Sequence, residues 1–237
     1  MTMQACCYFT AAPGARVAND ADTAALLRDA RDIAGLTQLI VHTAMPLAPD
    51  PHIAANHDTT HGAPPCVVQA YFSDLCALEA ALECDGALHR ALQRAAPAAP
   101  AGVSPFTQQT MAVRRYAPLH ARALDAERER CTYLVGYAGP ADDFNAWLTH
   151  YLQHHPPLML QLPGLRELEI CTRLDVRSGL PYAFDGFMQR NKVVFDDAAA
   201  LARALASPVR DAMREHFHAL PPFQGAAPHF PMRSCHA

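Results

Sequence analysis

One histidine lies where a side chain could move protons. His155 is on the apolar face of a predicted helix that starts near Asp142, four residues after Tyr151, and two prolines follow it directly. Because proline donates no backbone hydrogen bond, the helix should kink or end there and free carbonyl groups beside the imidazole. Imidazole titrates near neutral pH, so His155 is a candidate general acid or base. The alternative is a structural histidine that satisfies those carbonyls.

A second group of candidates shares one face of a predicted strand. Glu169, Cys171 and Arg173 alternate along it, and the internal repeat described below aligns His42 with Cys171. Arg173 could hold a ligand carboxylate while Glu169 moves a proton, or the two could form a simple ion pair. A reactive Cys171 would need a positive neighbour, which His42 or Arg173 could supply. Otherwise Cys171 is a buried, inert thiol.

Three tyrosines complete the candidate ligand-binding set. Tyr8 and Tyr133 align in two predicted first strands, where they share a face with Cys6 and Cys131 respectively, and Tyr151 is on the predicted helix. A buried tyrosine combines an apolar ring with a hydroxyl that can orient a ligand. Each of the three could equally be an ordinary packing residue.

Several classes of chemistry are excluded by the sequence. Lys192 is the only lysine, and there is no glycine-rich phosphate loop, GxSxG motif or CxxC pair. A loop with His52, His57 and His61 could bind a metal, but no helix or strand is predicted to hold these residues in place. We therefore predict neither a metal site nor a cofactor.

The composition is that of a globular protein without a nucleic-acid-binding character. The 237 residues are 51% hydrophobic and 18% charged, with a formal net charge of −4. These values allow one large domain or two small ones and disfavour DNA or RNA as a partner. Neither a secretory leader nor a membrane span of ~20 apolar residues is recognisable. The eight cysteines form no CxxC pair, so we predict reduced thiols and a cytoplasmic protein.

Four short matches recur in the same order along the chain, which indicates an internal repeat. They pair Cys6–Phe9 with Cys131–Leu134, Ala34–Leu39 with Pro163–Leu168, Phe72–Asp74 with Phe195–Asp197, and Pro105–Phe106 with Pro222–Phe223. We therefore predict two units, residues 1–120 and 121–237, that arose by duplication.

Each unit shows the order β-α-β-β-α-β of the ferredoxin-like fold, a four-stranded antiparallel sheet with both helices on one face. The predicted strands are 4–11, 36–47, 65–72 and 106–116 in the first unit, and 131–137, 165–176, 184–195 and the segment after Pro222 in the second. The predicted helices are 20–34 and 74–93, then helices from about 142 and from 196 or 197.

The second strand of each unit has two distinct faces. One face is apolar, with Leu39 and Val41 matching Leu168 and Ile170, whereas the other is mixed polar. The apolar face should lie under the helices and the polar face should look toward the other unit. The predicted fold is α+β: tandem ferredoxin-like units that press their uncovered sheets together and form an internal, pseudo-dimeric α/β barrel around a partly polar cavity.

The second unit resembles the EthD-type proteins of the dimeric α/β-barrel superfamily. The resemblance rests on Tyr151-Leu-Gln-His-His155-Pro-Pro-Leu158, on Leu162-Pro-Gly-Leu165 and on the Phe195-Asp-Asp start of the next helix, and it extends from Arg130 to Phe230. The first unit has Leu26 at the position of His155. Such barrels usually form from two chains, so the resemblance implies that this chain builds one alone, with a cavity for a small organic molecule or heme.

These observations lead to an expected function. It is small-molecule catabolism or secondary metabolism, in which an apolar ring or lactone undergoes proton transfer at His155 in a cofactor-independent isomerase, lyase or monooxygenase. One alternative is a non-catalytic binding protein, and another is a heme protein with His155 or His42 as the axial ligand. The sequence also leaves open whether several copies of this chain form a homo-oligomer.

Overall fold

The computed structural model describes residues 4–16, 18–45, 63–95, 102–118 and 129–236. The histidine loop with His52, His57 and His61 lies outside the described residues.

Within these described ranges, each half has four main strands and three α-helices. The first half consists of β1 (Gln4–Ala11), α1 (Asp20–Asp29), a 3₁₀ turn (Ala30–Asp32), β2 (Leu36–Ala44), β3 (Cys66–Phe72), α2 (Leu75–Ala81), α3 (Ala87–Ala95) and β4 (Phe106–Tyr116). The second half consists of β5 (Arg130–Tyr137), α4 (Phe144–Met159), β6 (Glu167–Arg173), the short β7 (Ala183–Phe184), β8 (Gln189–Phe195), α5 (Ala198–Leu205), α6 (Pro208–His218) and β9 (His229–His236). Among the helices of these described residues, none has the length and apolar character needed to cross a bilayer.

The second predicted helix of each unit is in fact two helices. Between α2 and α3 the backbone of Asp85 is left-handed, with φ of 63°, which no continuous helix can accommodate. Between α5 and α6, Pro208 occupies the first turn of the new helix, where its missing N–H costs nothing. Both pairs begin alike, because the side chains of Asp74 and Asp197 each accept a backbone N–H at 2.8 Å.

Eight strands close into an antiparallel barrel. Their order is β1-β3-β2-β9-β5-β8-β6-β4, and β4 pairs with β1 to complete the circle. Within each half the order is fourth, first, third, second strand. The halves meet along two seams, β2 with β9 and β4 with β6, so the two sheets join edge to edge rather than pressing face to face. Closure leaves these strands without an open edge.

The alignment of the two first strands was wrong by one residue. Ala5 pairs with Phe72, and Cys131 pairs with Phe195, so Ala5 rather than Cys6 is the counterpart of Cys131. Successive side chains point to opposite faces of a strand, so a shift of one residue exchanges the faces. Tyr8 therefore points into the barrel, while Tyr133 packs under the helices of its half.

Three cores result from this architecture. In the first half, α1, α2 and α3 cover the outer face of the sheet, and Leu39 and Val41 lie beneath them. In the second half, α4, α5 and α6 cover the outer face, and Leu168 and Ile170 lie beneath them. The predicted apolar stripes are confirmed. The third core fills the barrel with residues from both halves.

Candidate functional site

The barrel interior contains the only lysine of the sequence. Lys192 is fully buried, and its ammonium lies 3.1 Å from Glu167 and 3.2 Å from Glu169. Burial by itself would lower the pKa of Lys192, but these two carboxylates outweigh it and raise the pKa. A permanently protonated amine is not a nucleophile, so this residue is unsuited to Schiff-base chemistry.

Glu169 is surrounded by partners. Besides Lys192, it accepts a hydrogen bond of 2.5 Å from the hydroxyl of Tyr71 and one of 2.9 Å from Arg115. Glu167 is in turn bonded to Arg130 at 2.9 Å. Burial opposes ionisation of Glu167, yet the charge of Lys192 prevails and lowers the pKa. Glu169 is thus part of a network of six side chains, which does not include Arg173, the ion-pair partner considered in the sequence analysis.

Arg173 lies outside the barrel. Its side chain is exposed at the end of β6 and pairs with Asp175 at 3.5 Å. The placement of Arg173 beside Glu169 in the cavity is therefore wrong, because the strand ends at this residue and its side chain reaches solvent.

His42 and Cys171 have different partners. His42 bonds to Ser234 at 2.7 Å and to Gln69 at 3.4 Å, whereas the sulfur of Cys171 lies 3.7 Å from the hydroxyl of Tyr8. Burial, assisted by the charge of Lys192, lowers the pKa of His42 to about 3, so its ring is neutral. It cannot supply the positive charge that the reactive-thiol hypothesis required.

A cavity of about 350 Å³ opens at one end of the barrel. Its lining is largely apolar, and its main cation, Arg190, stacks on Phe187 and is bonded to Asp185 at 2.6 Å and to Gln109 at 3.0 Å. Tyr8 also lines this cavity. The charge of Arg190 is thus already compensated by protein groups.

His155 lines a different cavity, a slot of about 140 Å³ between the second-half sheet and its helices. The slot is enclosed by β5, β8, α4, α5 and α6, and it is mainly apolar. The residues that surround it are Tyr133, Val135, Tyr137, His155, Met159, Leu162, Asn191, Val193, Phe195, Leu201, Ala204, Leu205, Arg210, Met213, Arg214, Phe217 and His229.

The imidazole of His155 is buried and hydrogen-bonded to a second histidine. Its Nδ1 lies 2.9 Å from Nδ1 of His216 on α6. Burial, followed by the charge of His216, lowers the pKa of His155 to about 3. Two such nitrogens bond only when one carries the proton and the other accepts it. His155 is therefore a neutral imidazole that is hydrogen-bonded to a half-buried second histidine.

Tyr133 brings an unsatisfied hydroxyl to the slot. This oxygen is buried and has no hydrogen-bonding partner. Burial raises the pKa of Tyr133 well above its usual value, so the hydroxyl stays protonated. Tyr151, by contrast, has a saturated hydroxyl that accepts from Asn191 at 2.7 Å and from Tyr137 at 3.4 Å. Tyr151 supports the wall of the slot, whereas Tyr133 offers it a polar group.

Sequence reasoning missed Arg210 and His216. Both are on α6, where Arg210 precedes Met213 by three residues and Phe217 by seven, and so shares their inward face. A basic residue at helical spacing within an apolar stripe was the available signal. Burial lowers the pKa of the half-buried Arg210, but a guanidinium remains charged at neutral pH.

Comparison with solved structures shows the same architecture. An anthrone oxidase-like protein matches 98% of this chain and 92% of its own at 13% identity, with a TM-score of 0.54. A proposed monooxygenase from Fusobacterium nucleatum matches 97% of this chain and 91% of its own at 7% identity, with a TM-score of 0.56. The chain has the dimeric α/β-barrel fold.

An EthD-family protein from Bacillus halodurans is 22% identical over 41% of this chain and 97% of its own, with a TM-score of 0.33. No protein-family model and no curated protein matches the sequence. A dimeric α/β barrel thus describes the fold, and the chemistry must be argued from the site.

Proposed function

We propose that this protein binds a small, mostly apolar ring compound in the slot beside His155 and removes a proton from it. The observation that carries the proposal is the buried hydroxyl of Tyr133, which lines an apolar cavity without a hydrogen-bonding partner. Leaving such a group unsatisfied costs ~1–3 kcal/mol, so it marks a position where a ligand oxygen would be favoured.

The size of the slot favours a ligand of one ring. Its 140 Å³ is below the ~300–1,000 Å³ of pockets for drug-sized ligands. The lining of leucine, valine, methionine and phenylalanine suits a ring, and its few polar groups suit a single carbonyl or hydroxyl. The four-pyrrole macrocycle of heme does not fit this volume, and Nδ1 of His155 is already bonded to His216.

Three polar groups have complementary roles in the proposed reaction. Tyr133 donates its hydrogen bond to the ligand oxygen, and the charge of Arg210 stabilises that oxygen as it becomes an enolate or phenolate. Nε2 of His155 takes the proton: a C–H or O–H bond of the ligand breaks, an N–H bond forms, and the electron pair stays on the ligand.

The histidine pair gives the proton a second position. When His155 is protonated at Nε2, the proton on Nδ1 can pass across the 2.9 Å bond to Nδ1 of His216. Return of a proton at another carbon makes the reaction an isomerisation. In an oxygenation, dioxygen is the oxidant: the carbanion forms a C–O bond with it, and the resulting peroxide anion takes up the proton to give a hydroperoxide. The low pKa of His155 favours the second candidate function, a binding protein without turnover, because a weak base abstracts only acidic protons.

We also propose that residues 1–120 and 121–237 descend from one duplicated ferredoxin-like unit of EthD type. The common strand order of the halves and the matching aspartate caps, Asp74 and Asp197, support this origin. The matching left-handed glycines Gly35 and Gly164, with φ of 73° and 76°, support it as well.

Two variants test the function with one-ring phenols, lactones and cyclic ketones as probes. Ala204→Leu fills the slot and should abolish ligand binding measured by calorimetry, while Ala199→Leu on the exposed side of α5 should not. His155→Gln should retain binding but lower the rate of proton–deuterium exchange at the bound ligand, followed by NMR, by ~10²–10⁴-fold. His154→Gln, an exposed neighbour, is its control.

Each result has a defined consequence. Unchanged binding by Ala204→Leu would move the ligand to another cavity, such as the barrel mouth. Exchange that persists in His155→Gln would remove this residue from the chemistry. Binding by the unmodified protein without any exchange would establish the non-catalytic alternative.

A further inference from the structure

The turn between α2 and α3 brings three different donor atoms together. Cys84, Asp85 and His89 each contribute one potential ligand atom, and these atoms all lie within 4.8 Å of one another. Cys84 and Asp85 are exposed, and His89 is buried at the base of the group. Thiolate, carboxylate and imidazole differ in softness, so this group is not merely an acidic patch.

The imidazole of His89 is already oriented for coordination. Its Nδ1 accepts a hydrogen bond of 3.1 Å from the backbone N–H of Asp85, so the lone pair of this nitrogen points toward the turn. The carboxylate of Asp85 lies 3.9 Å from the same nitrogen. A cation in the turn would replace the backbone N–H of Asp85 as the partner of Nδ1, and the imidazole of His89 would not have to reorient.

An independent observation comes from Tyr182. This residue is 6% exposed, its hydroxyl has no hydrogen-bonding partner, and its ring packs edge-on against His89 at 5.6 Å. A buried hydroxyl without a hydrogen-bonding partner therefore belongs to the side chain that packs against the imidazole at the base of the group.

We propose that Cys84, Asp85 and His89 bind a divalent transition-metal ion, with zinc as the favoured one. Sulfur, nitrogen and carboxylate oxygen are the donors that zinc takes in proteins. Three protein ligands leave a fourth tetrahedral position for water, on the side of the group that faces solvent. Calcium and magnesium are disfavoured, since they prefer oxygen donors alone.

The position of the site suggests what the ion stabilises. The segment between β6 and β8 contacts this turn: Gly179 donates to the carbonyl of Leu82 at 2.9 Å, and Arg177 pairs with Glu83 at 2.9 Å. Because a ligand that binds only the folded state stabilises it, zinc should raise the melting temperature of the protein in a concentration-dependent manner.

Cobalt(II) is the probe for this site, because a thiolate–cobalt bond gives a charge-transfer band in the near ultraviolet. The full chain should show this band on titration, and added zinc should remove it. Cys84→Ser should lose the band and weaken binding by at least ~10-fold, which is the lower end of the loss caused by removing even an outer-sphere partner. Asp85→Asn should weaken binding without abolishing the band.

Cys76→Ser is the matched control, since Cys76 is also an exposed, free cysteine and lies in α2, the helix that precedes this turn. It should retain the band and the affinity. The ligands at Cys84 and Asp85 are exposed, so circular dichroism should show all three variants folded; buried His89 is left unchanged for that reason. Absence of the band in the unmodified protein, its persistence in Cys84→Ser, or its equal loss in Cys76→Ser would overturn the proposal.

Discussion

The helix-covered faces of the two halves have the same architecture but different contents. In the second half the space between sheet and helices contains the slot lined by Val135 and His155. In the first half, Phe9 is the counterpart of Val135 by strand pairing, and the ring of Tyr182 packs edge-on against it at 6.3 Å. Tyr182 also contacts Phe106 at 5.8 Å, and Leu180 joins the same core.

The segment that fills the first half belongs to the second half. Residues 174–188 leave β6, cross to the first half and return to β8, so one half supplies the packing of the other. Gln108 of β4 holds this segment by donating to the carbonyl of Tyr182 at 2.7 Å. An open slot on one side and a filled core on the other thus depend on where a connecting segment packs, not on the fold of either half.

The two halves also differ inside the barrel. By strand pairing, Lys192 corresponds to Gln69, and Glu169 corresponds to Ile40. The second half therefore contributes a buried ionic network, whereas the first contributes neutral hydrogen bonds from Gln69 and His42. Three predictions test these differences between the two halves.

The largest effect is expected when Lys192 is replaced by the residue of the matching position. Lys192→Gln leaves Glu167 and Glu169 without their shared buried cation, and breaking such a network costs ~3–5 kcal/mol. Urea unfolding at pH 7 should show this loss of free energy of unfolding. Arg173→Gln, which removes an exposed ion pair, should change it by less than ~1 kcal/mol. Equal effects of the two variants would contradict a structural role of the network.

A similar or slightly smaller loss is expected from Tyr182→Ala, because truncation of a buried aromatic side chain costs ~3–5 kcal/mol, part of which the connecting segment can recover by collapse. Tyr182→Phe should raise the free energy of unfolding by ~1–3 kcal/mol, because it removes a buried hydroxyl that has no hydrogen-bonding partner. If the truncation opens a slot in the first half, benzene should raise the thermal stability of Tyr182→Ala and not that of the unmodified protein. A costly Tyr182→Phe would show that the hydroxyl is bonded after all.

The smallest effect concerns acid stability, with one buried histidine tested in each half. His42 and His155 both have folded pKa values of about 3, below the ~6.5 of an unfolded histidine. The unfolded chain therefore binds more protons between these values, and stability falls as pH decreases from about 6.5 toward 3. Each histidine contributes a slope of up to ~1.4 kcal/mol per pH unit.

Replacing either histidine should remove its share of that slope. Urea unfolding of His42→Gln and His155→Gln at pH 7, 6 and 5 measures the shares separately, and exposed His154→Gln should leave the slope unchanged. A smaller share for His155 than for His42 would show that the slot admits water. No change for His42→Gln would contradict its burial as a neutral ring.

Much of the fold was predictable because its determinants are local. The alternation of Leu39 and Val41 with polar neighbours assigned the faces of β2. The sequence placed the start of the next helix at Asp196 or Asp197, and Asp197 is the residue that caps it. The second helix of each unit was predicted as continuous because the break at Asp85 depends on a left-handed backbone that its neighbours do not require.

The candidate site was predicted less well. His155 and Tyr133 were chosen and do line a common slot. The cavity expected inside the barrel is confined to one end, because Tyr71 and the network of Lys192 are buried in the rest of the interior. Arg173 was placed inside because strand alternation predicts the face of a residue but not the point at which the strand leaves the barrel.

Local sequence patterns determined the order of strands and helices and their apolar faces, and they indicated two similar halves. Short-range periodicity and capping suffice for these features because the residues involved are close in sequence. The one-residue register of β1 against β5, the two seams that close the barrel and the packing of residues 174–188 on the opposite half were decided by the tertiary structure. These features depend on contacts between residues far apart in the chain, such as Phe9 with Tyr182, whose energies arise only when both halves are assembled.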